Sequence, residues 1–147
     1  MARLPAPGGA DVSTWPMMLG TGERWYAKPD AGKLLVSPAE EDPSHPHDAW
    51  ADDMVLAEGL ARYEACVKEP VTRLETSWAG LRSFAPDRAL VLGPVPDELQ
   101  FIWCAGQGGF GFQTAPAASQ FLADLIGGGA SEIAAQHHAA LLPDRLR

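Results

Sequence analysis

A glycine cluster, one arginine, a tyrosine, two amides and a pair of histidines are the residues of this chain whose types and spacing could do chemistry. Gly106, Gly108, Gly109 and Gly111 fall in the run GQGGFG, after the apolar residues FIWCA and before a helix-like stretch. Glycine has no Cβ, so such a loop reaches positive φ and lets the backbone lie close against a flat or anionic ligand. The same run fits G-x-G-x-x-G, which opens a dinucleotide-binding unit when it joins a strand to a helix. Arg82, in WAGLRSFAPD, carries a guanidinium fork that can hold a carboxylate by two parallel charge-assisted hydrogen bonds, worth about 1.5–3 kcal/mol each. Read alone, it is in the first place a surface or strand-end arginine in a salt bridge. Tyr26 in a hairpin is by itself a packing residue, and Gln113 by itself a helix-entry residue bonding local backbone. Gln107 has a neutral amide and carries no acid–base role. His45 and His47 flank Pro46 near Glu40, Glu41 and Asp42, types that ligate metals. No second ligand set stands at structural spacing, so this segment reads as a solvated loop and no metal is expected.

The glycine pattern alone is a weak signal. A complete dinucleotide fingerprint needs a second parallel strand ending in an acidic residue roughly 20 positions on. Here Gly127, Gly128 and Gly129 lead instead into the polar-alanine segment 130–140, and no βαβ unit can be completed. Two readings of the loop stay open: a tight packing turn, or a loop that closes over a cofactor held elsewhere.

The elements that must position these residues follow from pattern. At 147 residues, 46% of them hydrophobic, the chain has the size and composition of one globular domain with its own core. A net charge of -8 with only 11 Lys and Arg argues against nucleic acid, whose phosphates require clustered cations. No apolar run is long enough to span a bilayer and no signal peptide is recognisable, which makes a cytoplasmic protein the default. Cys66 and Cys104 fall in a predicted helix and a predicted buried strand and read as reduced core residues. Residues 1–13 read as a connecting loop, and 15–19 as a short strand. RWYA and KLLVS form a β-hairpin, with Pro29 and Asp30 in its turn and Gly32 in the left-handed position. Residues 51–68 form a helix with Leu56, Leu60, Tyr63 and Val67 as its apolar stripe, Asp52 and Asp53 at its start and Pro70 as its stop. Alternation from Val71 to Trp78 predicts a strand continuing to a turn at Pro86 and Asp87. Residues 89–92 form another strand, and 93–97 a turn. Phe101 to Ala105 read as a buried strand, and Thr114 as the cap of a helix with Pro116 in its first turn and Phe121, Leu122, Leu125 and Ile126 as its stripe. Several antiparallel strands with helices packed on them make an α+β domain.

RWYAKPDAGKLLVSP, EEDPSHPHD, SWAGLRSFAPD, FIWCAGQGGFGFQTAPA and the ending LLPDRLR together resemble, in order and spacing, FAD-dependent oxidoreductases of the D-amino-acid oxidase and glycine oxidase superfamily. Within it the chain is most similar to the bacterial D-arginine dehydrogenases. The resemblance runs from about Arg24 to Arg147 and implies a partial fold: a linker at 1–23, part of a substrate-binding domain at 24–98, and the last strand, flavin-covering loop and helices at 99–147. It implies that Arg82, on a strand above the flavin, pairs with the substrate carboxylate, that the hydroxyl of Tyr26 reaches the same group, and that Gln113 lies beside flavin and substrate. Gly106, Gln107, Gly108, Gly109, Phe110, Gly111, Phe112, Gln113 and Thr114 become cofactor-contacting residues, and the helix after them points its positive end at the flavin pyrimidine ring.

The activity so implied is hydride transfer from the α-carbon of a D-amino acid to flavin, giving an imino acid that water converts to a keto acid and ammonia. The half of the family fold that cradles the ADP part of FAD is expected to be absent, so the isolated chain is expected to retain no FAD and to be inactive. The alternatives are a non-enzymatic remnant and a split subunit that needs a separate FAD-binding half. If the missing half normally covers the sheet, Trp78, Trp103, Phe110 and Phe112 are exposed and promote self-association.

Overall fold

The computed structural model describes every residue except 132 and 134, so part of the polar-alanine segment 130–140 lies outside the described residues. The chain is α+β and divides into two compact units, Met1–Leu81 and Arg82–Arg147.

The first unit is built on a five-stranded antiparallel sheet. Its strands are β1 (Ala2–Leu4), β2 (Met18–Leu19), β3 (Tyr26–Asp30), β4 (Lys33–Ser37) and β5 (Thr76–Ser77), in the order β2-β3-β4-β1-β5. The hairpin of β3 and β4 is tighter than the sequence predicts. Pro29 and Asp30 pair with Leu34 and Lys33 inside the ladder, leaving Ala31 and Gly32 as a two-residue turn with φ of 46° and 73°. Two successive positive φ values give the twist that matches flanking strands, which is why the turn contracts onto Gly32.

Residues 1–13, expected as a loop, instead supply β1, with Ala2 opposite Val36 and Leu4 opposite Leu34. Both are buried. Two apolar side chains separated by Arg3 fit one face of a strand, a signal too short to register against Pro5, Pro7 and the glycines that follow. The predicted strand over 71–78 shrinks to Thr76–Ser77. It is held by the Glu75 amide on the Arg3 carbonyl (2.9 Å) and the Trp78 amide on the Met1 carbonyl (3.1 Å). Residues 71–75 and 78–84 take no strand conformation, and alternation without a ladder does not make a strand.

Helix α1 (Asp53–Glu64) covers this sheet. Asp52 caps it, its Oδ1 accepting from the amides of Met54 (2.9 Å) and Val55 (3.0 Å). The helix is shorter than the predicted 51–68. Leu56 and Tyr63 are buried with Ala2, Leu4, Trp25, Ala27, Leu34 and Val36, and Leu60 and Val67 pack at the margin. Trp25 meets Tyr63 edge-on at 5.4 Å, a favoured aromatic geometry. Gly59 touches Pro38, which a Cβ would approach to 2.5 Å.

The second unit is smaller. An antiparallel hairpin of β6 (Val91–Val95) and β7 (Glu98–Ala105) turns at Pro96 and Asp97, later than predicted, because the pairing runs on through Val95 with a bulge after Pro94. Helix α2 (Gly111–Gly127) and the short helix α3 (Ala135–Leu141) follow. Phe121, fully buried, packs with Leu92 and Ala118, ringed by Leu90, Leu122, Ile133 and Leu141. Gly128, at φ 67°, ends α2 in the left-handed conformation, as its glycines predict.

The expectation of a buried strand fails here because, among the described residues, the hairpin is two strands wide. Phe101 and Trp103 are exposed rather than buried, and Ile102 is half-buried, since within its unit β7 pairs with β6 alone. Cys104 is likewise exposed, and Cys66 lies exposed just past α1, so neither is a core residue, and both are free thiols. The apolar stripe of α2 is thinner than its pattern too, with Leu125 and Ile126 left exposed.

Candidate functional site

Arg82 and the glycine turn come together within the second unit. The segment 82–84 is irregular rather than a strand, because it makes turn contacts with the glycine loop instead of ladder bonds. The Gly108 amide donates to the Ser83 carbonyl at 3.0 Å. A Cβ at Gly108 would stand 2.5 Å from Cε1 of Phe84, and one at Gly109 would stand 2.9 Å from Nη1 of Arg82. Gly108 also has φ 51°, so both its conformation and its neighbour demand glycine. Above the ring of Phe84 lie two guanidinium carbons, Arg82 at 5.3 Å and Arg88 at 4.8 Å, within cation–π range.

The loop then opens α2. The Phe110 amide closes a turn onto the Gln107 carbonyl at 3.0 Å, so the helix begins at Gly111, three residues before the predicted cap. Thr114 is inside it, with its hydroxyl donating to the Phe110 carbonyl at 2.9 Å, a four-back bond that satisfies a helical threonine. Pro116 is also inside the helix rather than in its first turn. The N-terminus has no side-chain cap and no acidic residue in its first turn. The amides of Gly111, Phe112 and Gln113 have no intrahelical acceptor, since the first turn of any helix leaves its donors unused. These donors and the helix dipole favour an electron-rich group there. Gln113 is exposed on this first turn, Phe112 is entirely exposed, and Phe110 and Gly109 are exposed beside it. Gln107 is half-buried, its amide 3.6 Å from the Cys104 sulfur.

Tyr26 lies in the first unit, half-buried on β3, with its hydroxyl 3.3 Å from the Met1 sulfur. His45 and His47 are exposed, and Nδ1 of His47 is 2.7 Å from the His45 carbonyl oxygen. Among the described residues no group of three or more His, Cys, Asp or Glu could hold a metal ion. Phe84 is the functional candidate that motif reading passes over. Its signal was an aromatic two positions after the arginine in the same quoted run.

Arg145 ties the chain end to the turn after Phe84. Its guanidinium donates to both Asp87 oxygens (2.5 and 3.1 Å) and to the carbonyls of Ala89 (2.9 Å), Leu141 and Leu142 (3.0 Å each). The Arg145 hydrogen bonds hold the Asp87 carboxyl below its ordinary value of 3.8, with help from the Ala89 amide. A folded-state value below the unfolded one adds stability that is complete above the unfolded value and fades as pH falls through the folded one. The melting midpoint of the second unit is therefore expected to fall on acidification below about pH 4, and the gap between wild type and Asp87→Asn to narrow over that range. A gap constant from pH 7 to 3, followed by circular dichroism, would remove Asp87 from the fold's acid response.

Residues 1–125 match the family model for FAD-dependent oxidoreductases. The chain belongs to the FAD-dependent oxidoreductase family. Among curated proteins it is similar to the hydrogen cyanide synthase subunit HcnC of Pseudomonas aeruginosa, 28% identical over 110 residues. That alignment covers 74% of this chain and 26% of the relative, so the chain spans about a quarter of the length of the curated relative it matches.

The residues fit one end of the cofactor that names the family. The glycine turn, exposed at Gly109 and Phe110, and the uncapped first turn of α2 suit the flat ring system, whose carbonyl edge seeks donors. They do not fit its ADP end, because β6 and β7 are antiparallel and the parallel βαβ crossover of a dinucleotide site does not occur around the glycine run. No helix among the described residues is long and apolar enough to cross a membrane.

Proposed function

We propose that this chain is the substrate-side and flavin-covering portion of an oxidoreductase that oxidises D-amino acids, basic ones such as D-arginine or apolar ones. The observation that carries the reading is the packing of Arg82 against Gly109, in a chain whose family is established by its match over residues 1–125. FAD, when bound, supplies the acceptor for the hydride leaving the substrate α-carbon.

The residues of this chain bind and orient. Arg82 holds the substrate carboxylate by its two-pronged fork, the hydroxyl of Tyr26 donates to the same carboxylate, and Gln113 lies beside substrate and ring. Fixing the carboxylate decides which face of the α-carbon is presented, which is the basis of selection for one enantiomer. Residues 106–114 cover the ring, and the first-turn amides of α2 offer donors to its electron-rich edge.

By itself the chain is proposed to retain no FAD, since ring contacts alone leave the pyrophosphate and adenine unheld. The complementary half is a separate or adjoining chain carrying a dinucleotide fold. Its docking is favoured by the side chains of Leu99, Phe101 and Trp103, exposed on β7 by 69, 50 and 42%, more apolar surface than a strand usually leaves in water. The same surface supports self-association as a second reading. In the test, the purified chain is expected to be colourless and inactive. Mixing it with a separately produced FAD-binding half of a D-amino-acid dehydrogenase is expected to give co-elution and D-arginine-dependent dye reduction. A yellow preparation of the chain alone, or a mixture that neither co-elutes nor turns over, would overturn the proposal.

A further inference from the structure

We propose that Phe84 is a positioning residue that holds the Arg82 guanidinium and the glycine turn in one fixed arrangement, an inference resting on the reading of Arg82 as the carboxylate contact. The segment 82–84 and the loop 106–109 are joined at three points. The Ser83 carbonyl accepts the Gly108 amide at 3.0 Å. The edge of Phe84 fills the space where a Gly108 Cβ would stand, 2.5 Å from Cε1. The guanidinium of Arg82 lies 5.3 Å from the centre of that ring and against Gly109.

A guanidinium on a flexible stem samples many rotamers. A ring beneath it narrows that choice through the flat face of the guanidinium, a contact that uses none of its N–H donors. Phe84 lies half-buried next to the buried Ala85, on the wall of an open pocket of about 410 Å³. Its ring edge stands against Gly108 and its face toward Arg82, so one ring places both the turn and the arginine. A leucine in its place would keep much of the apolar volume and lose the flat charged-face contact.

The test is nuclear magnetic resonance of the full chain, with the Arg82 Nε–H signal assigned by its loss in Arg82→Lys. A guanidinium over an aromatic ring carries a ring-current shift. Phe84→Leu is expected to abolish that shift and speed exchange of the Gly108 amide, and Phe84→Tyr to preserve both. An Arg82 signal unmoved by Phe84→Leu would overturn the proposal, as would a loss that Phe84→Tyr fails to rescue in a folded chain. Where the chain is combined with a flavin-binding half, Phe84→Leu is expected to raise KM for the amino acid about two- to fivefold, the loss of one half-exposed cation–π contact, with kcat little changed. An effect on kcat alone would also overturn it. The expected resonance pattern together with a KM indifferent to Arg82→Lys retains Phe84 as the platform and removes the carboxylate role from Arg82, so the two failures are distinguishable.

Discussion

Replacing Phe121 with alanine is expected to remove about 3–5 kcal/mol from the second unit, most or all of its stability. Its side chain is fully buried and makes the centre of a core whose other buried members, among the described residues, are Leu92 and Ala118. The ring also meets His138 edge-on at 5.1 Å, and His138 Nε2 is 2.9 Å from the Ile133 carbonyl oxygen, so one truncation loosens α2 and α3 together. A unit of this size buries a modest fraction of its surface and has a stability at the low end of the usual range, about 5 kcal/mol. Phe121→Leu keeps apolar volume and is expected to cost about 1.5 kcal/mol or less. Urea unfolding followed at Trp103, the one tryptophan of Arg82–Arg147, checks both, with the other tryptophans replaced by phenylalanine. An alanine variant with an unchanged midpoint would mean that the unit is held by something other than this core.

How much of the molecule was legible beforehand depends on whether the deciding interaction is local. The β3–β4 hairpin, helix α1 and the glycine stop of α2 were readable because each is fixed by residues close in sequence: a glycine at positive φ, a 3.6-residue stripe with aspartates at its start, a glycine run after a helix. β1 was hidden because three residues carry no periodicity, and only pairing with Leu34 and Val36 makes them a strand. β7 misled in the opposite direction. Its continuous apolar run is the pattern of a strand covered on both faces, and within this unit such cover is lacking. Thr114 was misplaced because the turn that starts α2 is closed by the Phe110 amide on the Gln107 carbonyl, a backbone bond that no side chain announces. At the candidate site, the glycine turn and Arg82 were legible as types, but the ring that joins them was not, because the approach of Phe84 to Gly108 spans two segments far apart in the chain.

The second large effect concerns Arg82. In the combined protein, Arg82→Ala is expected to lower kcat/KM for a D-amino acid at least about a hundredfold, since two charge-assisted bonds at about 1.5–3 kcal/mol each would be lost. Arg82→Lys keeps the positive charge and loses the fork, and with one point donor in place of two parallel ones it is expected to recover only part of that, leaving a deficit of roughly tenfold. The carboxylate takes no part in bond breaking, so it is held alike in ground and transition states, and the loss should fall mainly on KM. Substrates lacking a carboxylate supply the control. An amine with the same side chain should be a poor substrate of the wild type and should lose almost nothing further in Arg82→Ala, because the interaction removed was never made. A fall of equal size for amine and amino acid would mean that Arg82 shapes the glycine turn through Gly109, which its Nη1 would meet at 2.9 Å were a Cβ present, rather than touching the substrate. Urea midpoints of the two Arg82 variants matched to wild type would then confine the damage to that turn.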